Sequence, residues 1–273
     1  ENLLDNLKRI APFSRPINYM LRGFGRLFHS RADAITSPTR SGLEMFKDLA
    51  DKIDKPMYII SNGIDLKEYT SGPTDPKIFV KYKLPRDRPI ITYIGRIDAE
   101  KHLSVLIRAF ANLLDRKKAH LLVVGSGVDL ENIEKLAGEL GVAKHITFTH
   151  RISDEDKKAL ERVGALYAIP SPAELQSIAT LEAMACGQPV VAVNAGALAE
   201  LCHDGKNGYL FDLDNDEQMA DRIEAIISDP KLREKFAKES LKIAATHNLD
   251  FTIKEFLKLY RKVIRDKKKE LAN

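Results

Sequence analysis

The middle of the chain alternates short apolar runs with segments of helical periodicity, and this alternation restricts the fold more than any other feature. Six runs are apolar along most of their length, as strands buried on both faces are. They span 90–95, 121–125, 145–149, 165–170, 189–193 and 208–212. Apolar residues at helical spacing lie between them, at 104–114, 130–140, 154–163 and 178–185. This order predicts an α/β fold with a Rossmann-like, doubly wound parallel sheet.

Pattern and composition divide the chain into four parts. Residues 1–65 contain a basic amphipathic stretch followed by two short strand patterns around a helix pattern. Residues 66–89 contain four of the prolines, a composition typical of a linker. We therefore expect a partial N-terminal domain over 1–65, a linker over 66–89, and the Rossmann-like domain over 90–230. C-terminal helices that pack back toward the N-terminal part are expected over 231–273.

Composition excludes several classes of protein. The 273 residues are 44% hydrophobic and 30% charged, which argues against a disordered chain. The apolar runs are far shorter than the ~20 residues that span a bilayer. Cys186 and Cys202 are the only cysteines, without a CxxC pair, so neither a disulfide scaffold nor a cysteine-rich zinc site is expected. We expect a cytoplasmic protein.

Charge is concentrated at the two ends of the chain. The net charge is only +4, but residues 1–31 hold six basic against two acidic groups, and residues 254–270 hold eight against three. Basic ends can bind phosphates or an anionic membrane, and they can equally be solvated helix faces. The stretch 12–28 resembles a membrane-surface helix, with packing against protein as the alternative. Peripheral association with the inner membrane face therefore stays open, as does a non-catalytic membrane adaptor. No nucleic-acid partner is expected.

Polar residues with complementary chemistry follow the predicted strands, where ligands of doubly wound folds bind. Gly95, Arg96 and Lys101 follow the first strand, and Glu174 follows the fourth, before a helix pattern that carries Glu182. Arginine can bind diphosphate oxygens in a fork and lysine as a point charge, while carboxylates accept hydrogen bonds from sugar hydroxyls. These residue types together predict a site for a phosphate and a polyol.

Two further points concern the same site. The backbone amides around Gln176, Ser177 and Ile178 would be free donors at a helix N-terminus, which favours an anion. The alternative for Arg96 and Lys101 is surface solvation, or pairing with the neighbouring carboxylates at positions 98 and 100.

The chain resembles the group-1 retaining glycosyltransferases, a family with the GT-B fold. Four motifs carry the resemblance: E-x7-E from Glu174 to Glu182 followed by AMACGQPVV, GRIDAEK at 95–101, SNGID at 61–65 and GSG at 125–127. It extends from about Ile35 to the C-terminus. His102 departs from the family pattern, which usually has glycine there, and Ser177 also replaces a common glycine.

The resemblance implies roles for individual residues. Glu174, Arg96 and Lys101 form the implied catalytic set: Glu174 would hold the hydroxyls of the donor sugar, and the two cations would bind its diphosphate. Glu182 would hold the nucleotide ribose. The other implied donor-binding residues are Gly95, Gly125, Arg151, Ile152, Leu175, Gln176, Ser177 and Ile178. Arg151 and Ile152 would flank the base, and Gly196 with Ala197 would allow a further close approach.

The resemblance also implies an activity, the transfer of a sugar from a UDP- or GDP-sugar to an acceptor hydroxyl on a lipid or a glycan. No cofactor and no metal are expected, because the two cations would stabilise the leaving diphosphate. Family members have two Rossmann-like domains, so this chain is expected to be a fragment that contains the second domain and the end of the first. A GT-B nucleotide-sugar epimerase and a nucleotide-sugar-binding module without turnover remain as alternatives.

Overall fold

The computed structural model describes residues 29–49 and 55–272. In chain order, the described helices and strands are β1 (Ile35–Ser37), α1 (Arg40–Leu49), β2 (Met57–Ile59), α2 (Pro76–Lys81), β3 (Ile90–Ile94), α3 (Leu103–Leu114), β4 (His120–Val124), α4 (Leu130–Glu139), β5 (Ile146–Phe148), α5 (Asp154–Glu161), β6 (Leu166–Ile169), α6 (Ile178–Ala185), β7 (Val190–Val193), α7 (Leu198–Leu201), β8 (Gly208–Phe211), α8 (Asp216–Ser228), α9 (Pro230–Ala245) and α10 (Leu249–Ala272). Contacts divide the chain into two compact units, Glu1–Gly63 with His247–Asn273, and Ile64–Thr246.

The larger unit is built on a six-stranded parallel sheet in the order β5-β4-β3-β6-β7-β8. Every residue of β3, β4, β6 and β7 is buried, as continuous apolar runs require. The chain moves outward in one direction from β3 and in the other from β6. The carboxyl ends of these two neighbouring strands therefore form the topological switch point, where doubly wound folds bind ligands. The predicted fold class is confirmed.

Helices cover both faces of this sheet. Right-handed crossovers place α3 and α4 on one face, and α5, α6 and α7 on the other. After the last strand, α8 packs against α3, and α9 packs against α6. The core between these layers includes Tyr93, Phe110, Tyr167, Phe211 and Phe236, all almost fully buried. Burial of each large apolar side chain contributes roughly 1.5–3 kcal/mol, so the sheet supplies a rigid platform for the loops at its edge.

The segment expected to be a linker, 66–89, belongs to the larger unit and contains α2. Asp75 caps this helix, accepting a hydrogen bond from the amide of Lys77 at 2.9 Å, and Pro76 occupies its first turn. Ile78 and Leu84 are buried in the core. The proline that suggested a loop starts a helix here, because the first turn does not need its amide hydrogen.

The smaller unit pairs β1 with β2 in parallel, with Ile35 opposite Met57. The C-terminal helices expected over 231–273 are divided between the units: α9 lies in the larger one, where Phe236 is buried, and α10 in the smaller one. The amphipathic stretch 12–28 lies outside the described residues. No helix among the described residues combines the length and apolarity needed to cross a bilayer.

Candidate functional site at the carboxyl edge of the sheet

The loops after β3 and β6 meet at the switch point and bring a cation to a carboxylate. Nζ of Lys101 lies 2.8 Å from Oε1 of Glu174 and 3.5 Å from the carbonyl oxygen of Ala173. Lys101 is only 9% exposed, and the side chain of Glu174 is 15% exposed. The residue predicted to bind diphosphate thus contacts the residue predicted to bind the donor sugar.

His102 fixes the end of the short turn that places Lys101. A 3-10 turn over Ala99–Lys101 is followed by His102 at φ +50°, the left-handed conformation that glycine favours. The ring of His102 is anchored to Asp214, with Nδ1 2.9 Å from Oδ1. His102 therefore adopts a backbone conformation that costs less free energy for glycine than for any other residue. Helix α3 begins at the next residue.

Arg96 is directed to neighbouring carboxylates in this structure. Its guanidinium pairs with Asp98 and donates to Oε1 of Glu100 at 2.6 Å. The side chain is 65% exposed. This is the alternative that the sequence left open for Arg96, whereas Lys101 reaches across to the second loop. Surface pairs of this kind are worth about 0–1 kcal/mol, so a stronger anionic partner can replace them.

Glycines allow the loops after β3 and β4 to touch through their backbones. A Cβ atom on Gly125, whose φ is +143°, would lie 1.9 Å from the carbonyl oxygen of Gly95. A Cβ atom on Gly127 would lie 2.1 Å from the carbonyl oxygen of Ile97. The GSG motif therefore holds these two loops together in the structure, and its contact with a donor remains a prediction.

The N-terminus of α6 follows the Glu174 loop directly. Ser177 caps the helix: its Oγ accepts from the amide of Thr180 at 3.4 Å and from the Thr180 hydroxyl at 2.8 Å. Gln176 and Ser177 are buried, while Leu175 is 57% exposed. Ile178, half-buried, opens the helix. The buried cap holds this turn at the switch point, beside the loop that carries Glu174.

Glu182 lies one turn into α6 and has a partner that the sequence did not indicate. Oε2 of Glu182 accepts from Nζ of Lys157 at 2.5 Å, and Nζ also donates to the hydroxyl of Tyr69 at 3.3 Å. Glu182 is only 6% exposed. Burial, and then the charge of Glu182, raise the pKa of Tyr69. No sequence pattern links these residues, because they come from separate elements whose packing decides the contact.

The remaining predicted residues lie further along the same edge. Arg151 and Ile152 occupy the loop between β5 and α5, where Arg151 is exposed and Ile152 packs against the core. Gly196, after β7, has φ +49°, and a Cβ there would lie 3.5 Å from the carbonyl oxygen of Glu174. Within residues 29–49 and 55–272, no three His, Cys, Asp or Glu side chains are grouped to hold a metal ion. Donor binding without a metal stays a prediction.

Comparison with known proteins identifies the family. The family model described as glycosyl transferases group 1 matches residues 74–242. The chain is 30% identical over 216 residues to alpha-D-kanosaminyltransferase of Streptomyces kanamyceticus, covering 78% of this chain and 55% of that protein. It is 32% identical over 211 residues to D-inositol 3-phosphate glycosyltransferase of Rhodococcus opacus, covering 74% and 47%. The chain thus spans about half the length of these curated relatives.

Solved structures share the fold. Anabaena Alr3699/HepE in complex with UDP-glucose superposes with a TM-score of 0.80 at 21% identity, covering 90% of this chain and 68% of that one. Sucrose-phosphate synthase from Thermosynechococcus elongatus superposes with a TM-score of 0.81 at 22% identity, covering 96% and 66%. The family match covers more than half of the chain and includes both loops of the site. The chain therefore belongs to the group 1 glycosyltransferase family.

Proposed function

We propose that this chain is the donor-binding part of a retaining glycosyltransferase that uses a UDP- or GDP-sugar. The observation that carries the proposal is the contact of Lys101 with Glu174 at the switch point, 2.8 Å between two different loops. The printed names of the relatives, both glycosyltransferases, and the UDP-glucose complex of Alr3699/HepE support this choice of ligand.

The proposed chemistry follows from the charges at this point. Lys101 would hold the diphosphate while Glu174 accepts hydrogen bonds from hydroxyls of the donor sugar. As the bond from the anomeric carbon to the phosphate oxygen breaks, negative charge grows on the diphosphate, and a sheltered ammonium stabilises it. The acceptor hydroxyl attacks the same face and gives its proton to the leaving diphosphate. Neither a metal nor a cofactor takes part in this proposal.

Arg96 would join the diphosphate by exchanging partners. Its bonds to Asp98 and Glu100 involve a largely exposed guanidinium, so they contribute little stability. The exchange would therefore cost little, and a guanidinium can bind phosphate oxygens through two parallel hydrogen bonds. Lys101 already lies at the switch point, where the diphosphate would replace Glu174 as the partner of its ammonium group.

Calorimetric titration of the 273-residue chain with UDP, GDP and the corresponding nucleotide sugars tests the proposal. Lys101→Met should weaken diphosphate binding at least tenfold, the size of a charge-assisted hydrogen bond of about 1.5–3 kcal/mol. Glu174→Gln should retain UDP or GDP binding and lose the added affinity of the sugar. Lys135→Met is the matched control, since the side chain of Lys135 is 76% exposed and pairs with Glu139. Unchanged affinity in both site variants would contradict the proposal.

Turnover separates the proposed transferase from its alternatives. An epimerase converts the donor without an acceptor, so product analysis with donor alone would reveal it. A binding module without turnover would bind donor and release no nucleotide when acceptors are supplied. Because the chain spans about half of its relatives, the same assay should be run on a longer protein that includes the other half.

We further propose that the acceptor is presented at an anionic membrane, as a lipid or a lipid-linked glycan. Helix α10 exposes Ile253, Leu257, Tyr260 and Ile264 on one face, each between 46% and 59% exposed. Its exposed basic residues are Lys254, Lys258, Arg261, Lys262, Arg265, Lys267, Lys268 and Lys269. An apolar row beside basic residues is typical of helices that lie on anionic lipid.

Sedimentation with phosphatidylcholine vesicles, with and without phosphatidylglycerol, tests this proposal. The chain should bind only the anionic vesicles, and salt should weaken the binding. Ile264→Glu should abolish it, while Val80→Glu, at a position 76% exposed on α2, should not. Equal binding by both variants, or none by the unaltered chain, would overturn this proposal.

A further inference from the structure

Lys157 and Glu182 join two helices at the ribose end of the proposed donor site. Lys157 lies in α5, which begins directly after the loop of Arg151 and Ile152, and Glu182 lies in α6. Their side chains are 27% and 8% exposed, and Nζ approaches Oε2 to 2.5 Å. Because this pair is largely buried, the position of the Glu182 carboxylate depends on α5 as well as on α6.

Tyr69 holds the ammonium group of Lys157 from a second direction. Its hydroxyl accepts from Nζ at 3.3 Å, and Nζ lies 5.4 Å from the centroid of its ring. An ammonium has three N–H donors, and here two of them go to Glu182 and Tyr69. The contact with the ring face adds a cation–π attraction. Two partners therefore fix the charged end of Lys157.

A second carboxyl group lies behind this pair. Glu161 is fully buried, and neither of its carboxylate oxygens has a hydrogen-bond partner among the described residues. Burial, and then the negative charge of Glu182, raise the pKa of Glu161 well above its ordinary value, which favours its neutral form. Lys157 therefore makes its contact with the carboxylate of Glu182, while Glu161 lies nearby in its neutral form.

From this arrangement we infer that Lys157 is a positioning residue, which holds the carboxylate of Glu182 in place to accept hydrogen bonds from the ribose hydroxyls. The inference rests on the proposed function and on the ribose-binding role that the family resemblance implies for Glu182. A carboxylate offers about four acceptor positions, and the contact with Lys157 uses one. Without Lys157, the Glu182 carboxylate would lie beside Glu161 and lose this contact, so it would turn toward water. Lys157 therefore sets the preference for a ribonucleotide without touching it.

Paired titrations test the inference. The 273-residue chain is titrated with whichever of UDP and GDP it binds, and with the 2′,3′-dideoxy analogue of that nucleotide. Lys157→Met should weaken binding of the ribonucleotide about tenfold, the size of one charge-assisted hydrogen bond, and leave the dideoxy analogue unchanged. Lys157→Arg, which keeps the charge, should restore most of the preference. Lys158→Met is the matched control, because Lys158 is also 27% exposed and pairs with Glu68 at 2.9 Å.

The outcomes distinguish this inference from the proposed function. If Glu182→Gln loses the preference for the ribonucleotide and Lys157→Met keeps it, Lys157 has no positioning role and the proposed function stands. Equal weakening of both nucleotides by Lys157→Met also overturns the inference. If the unaltered chain binds neither UDP nor GDP, the proposed function itself fails. Circular dichroism checks each variant for folding, and Lys157→Gln replaces the methionine variant if that one does not fold.

Discussion

Gly125 lies where β4 ends, and its replacement by alanine should force apart the loops after β3 and β4. The added Cβ would lie 1.9 Å from the carbonyl oxygen of Gly95, and Cβ atoms essentially never approach closer than 3.0 Å, so the loops must separate by about 1.1 Å. Two backbone hydrogen bonds cross this contact, from Gly95 to Val124 and from Ile97 to Ser126, both at 3.0 Å. The separation would lengthen both.

The cost of this replacement has two parts. Backbone strain at φ +143°, a region used almost only by glycine, costs a residue with a side chain roughly 1–3 kcal/mol, and each weakened hydrogen bond costs about 0.5–1.5 kcal/mol. We expect a total near 3 kcal/mol. For a unit of this size, that lowers the melting temperature by about 6–12 °C. The loop that carries Arg96 and Lys101 moves as well, so UDP or GDP binding should weaken.

Calorimetric melting and nucleotide titration measure both effects. Gly138→Ala is the matched control: Gly138 lies in α4, and a Cβ there would meet nothing within 4 Å. That change should stabilise the protein by roughly 0.5–1 kcal/mol, as replacement of a helical glycine does. If Gly125→Ala melts at the same temperature as the unaltered chain, the two loops are not held in contact as described.

Three further changes test the fold around the site. Glu161→Met should raise the unfolding free energy by about 1–3 kcal/mol at pH 8 and by less at pH 5. Because the pKa of Glu161 is raised in the folded protein, its protonated form stabilises the unaltered protein at low pH. This stabilisation is lost as the pH rises from 4.5, the ordinary pKa, through the raised pKa of the folded state. An equal gain in unfolding free energy at pH 5 and pH 8 would refute the reasoning. Asp229→Ala should cost about 1 kcal/mol in urea unfolding, because Oδ1 of Asp229 caps α9 through two amides, at 2.9 and 3.1 Å; no loss would mean that the cap is dispensable. Gln188→Leu should cost about 1–2 kcal/mol, because the backbone carbonyl of Glu161 loses the amide that donates to it at 2.6 Å. The buried Thr92 hydroxyl also loses its acceptor at 2.7 Å and keeps only the longer bond to the Leu166 carbonyl at 3.2 Å; a urea midpoint like that of the unaltered chain would contradict this.

The sheet could be predicted from the sequence because its strands carry their own signal. The run 90–95 is apolar along most of its length, and β3 spans Ile90–Ile94. The helix α8 was not predicted, although its signal is present: Asn215 caps it by accepting from the amide of Gln218 at 2.9 Å, and Met219 and Ile223 recur on one buried face. The helix α2 was not predicted within 66–89, because Pro76 suggested a loop there, whereas it occupies the first turn of the helix.

The sequence predicted which residues belong to the candidate site, but it did not predict which of their side chains contact each other. The motif spacing indicated Glu174 and Glu182, but the partner of each comes from a distant position, 73 residues away for Lys101 and 25 for Lys157. Such contacts depend on how loops and helices pack on the sheet. The direction taken by Arg96 likewise depends on local geometry, since the sequence allowed pairing with the carboxylates at 98 and 100 as well as with a diphosphate.

The contact between Lys101 and Glu174 has a consequence for how the proposed donor would bind. Each group already neutralises the other, so a diphosphate that takes over the ammonium exchanges one partner for another and displaces few salt ions. A groove of unpaired lysines behaves differently, because its affinity for phosphates falls steeply as ionic strength rises. The affinity of this chain for UDP or GDP should therefore change little between dilute buffer and physiological salt.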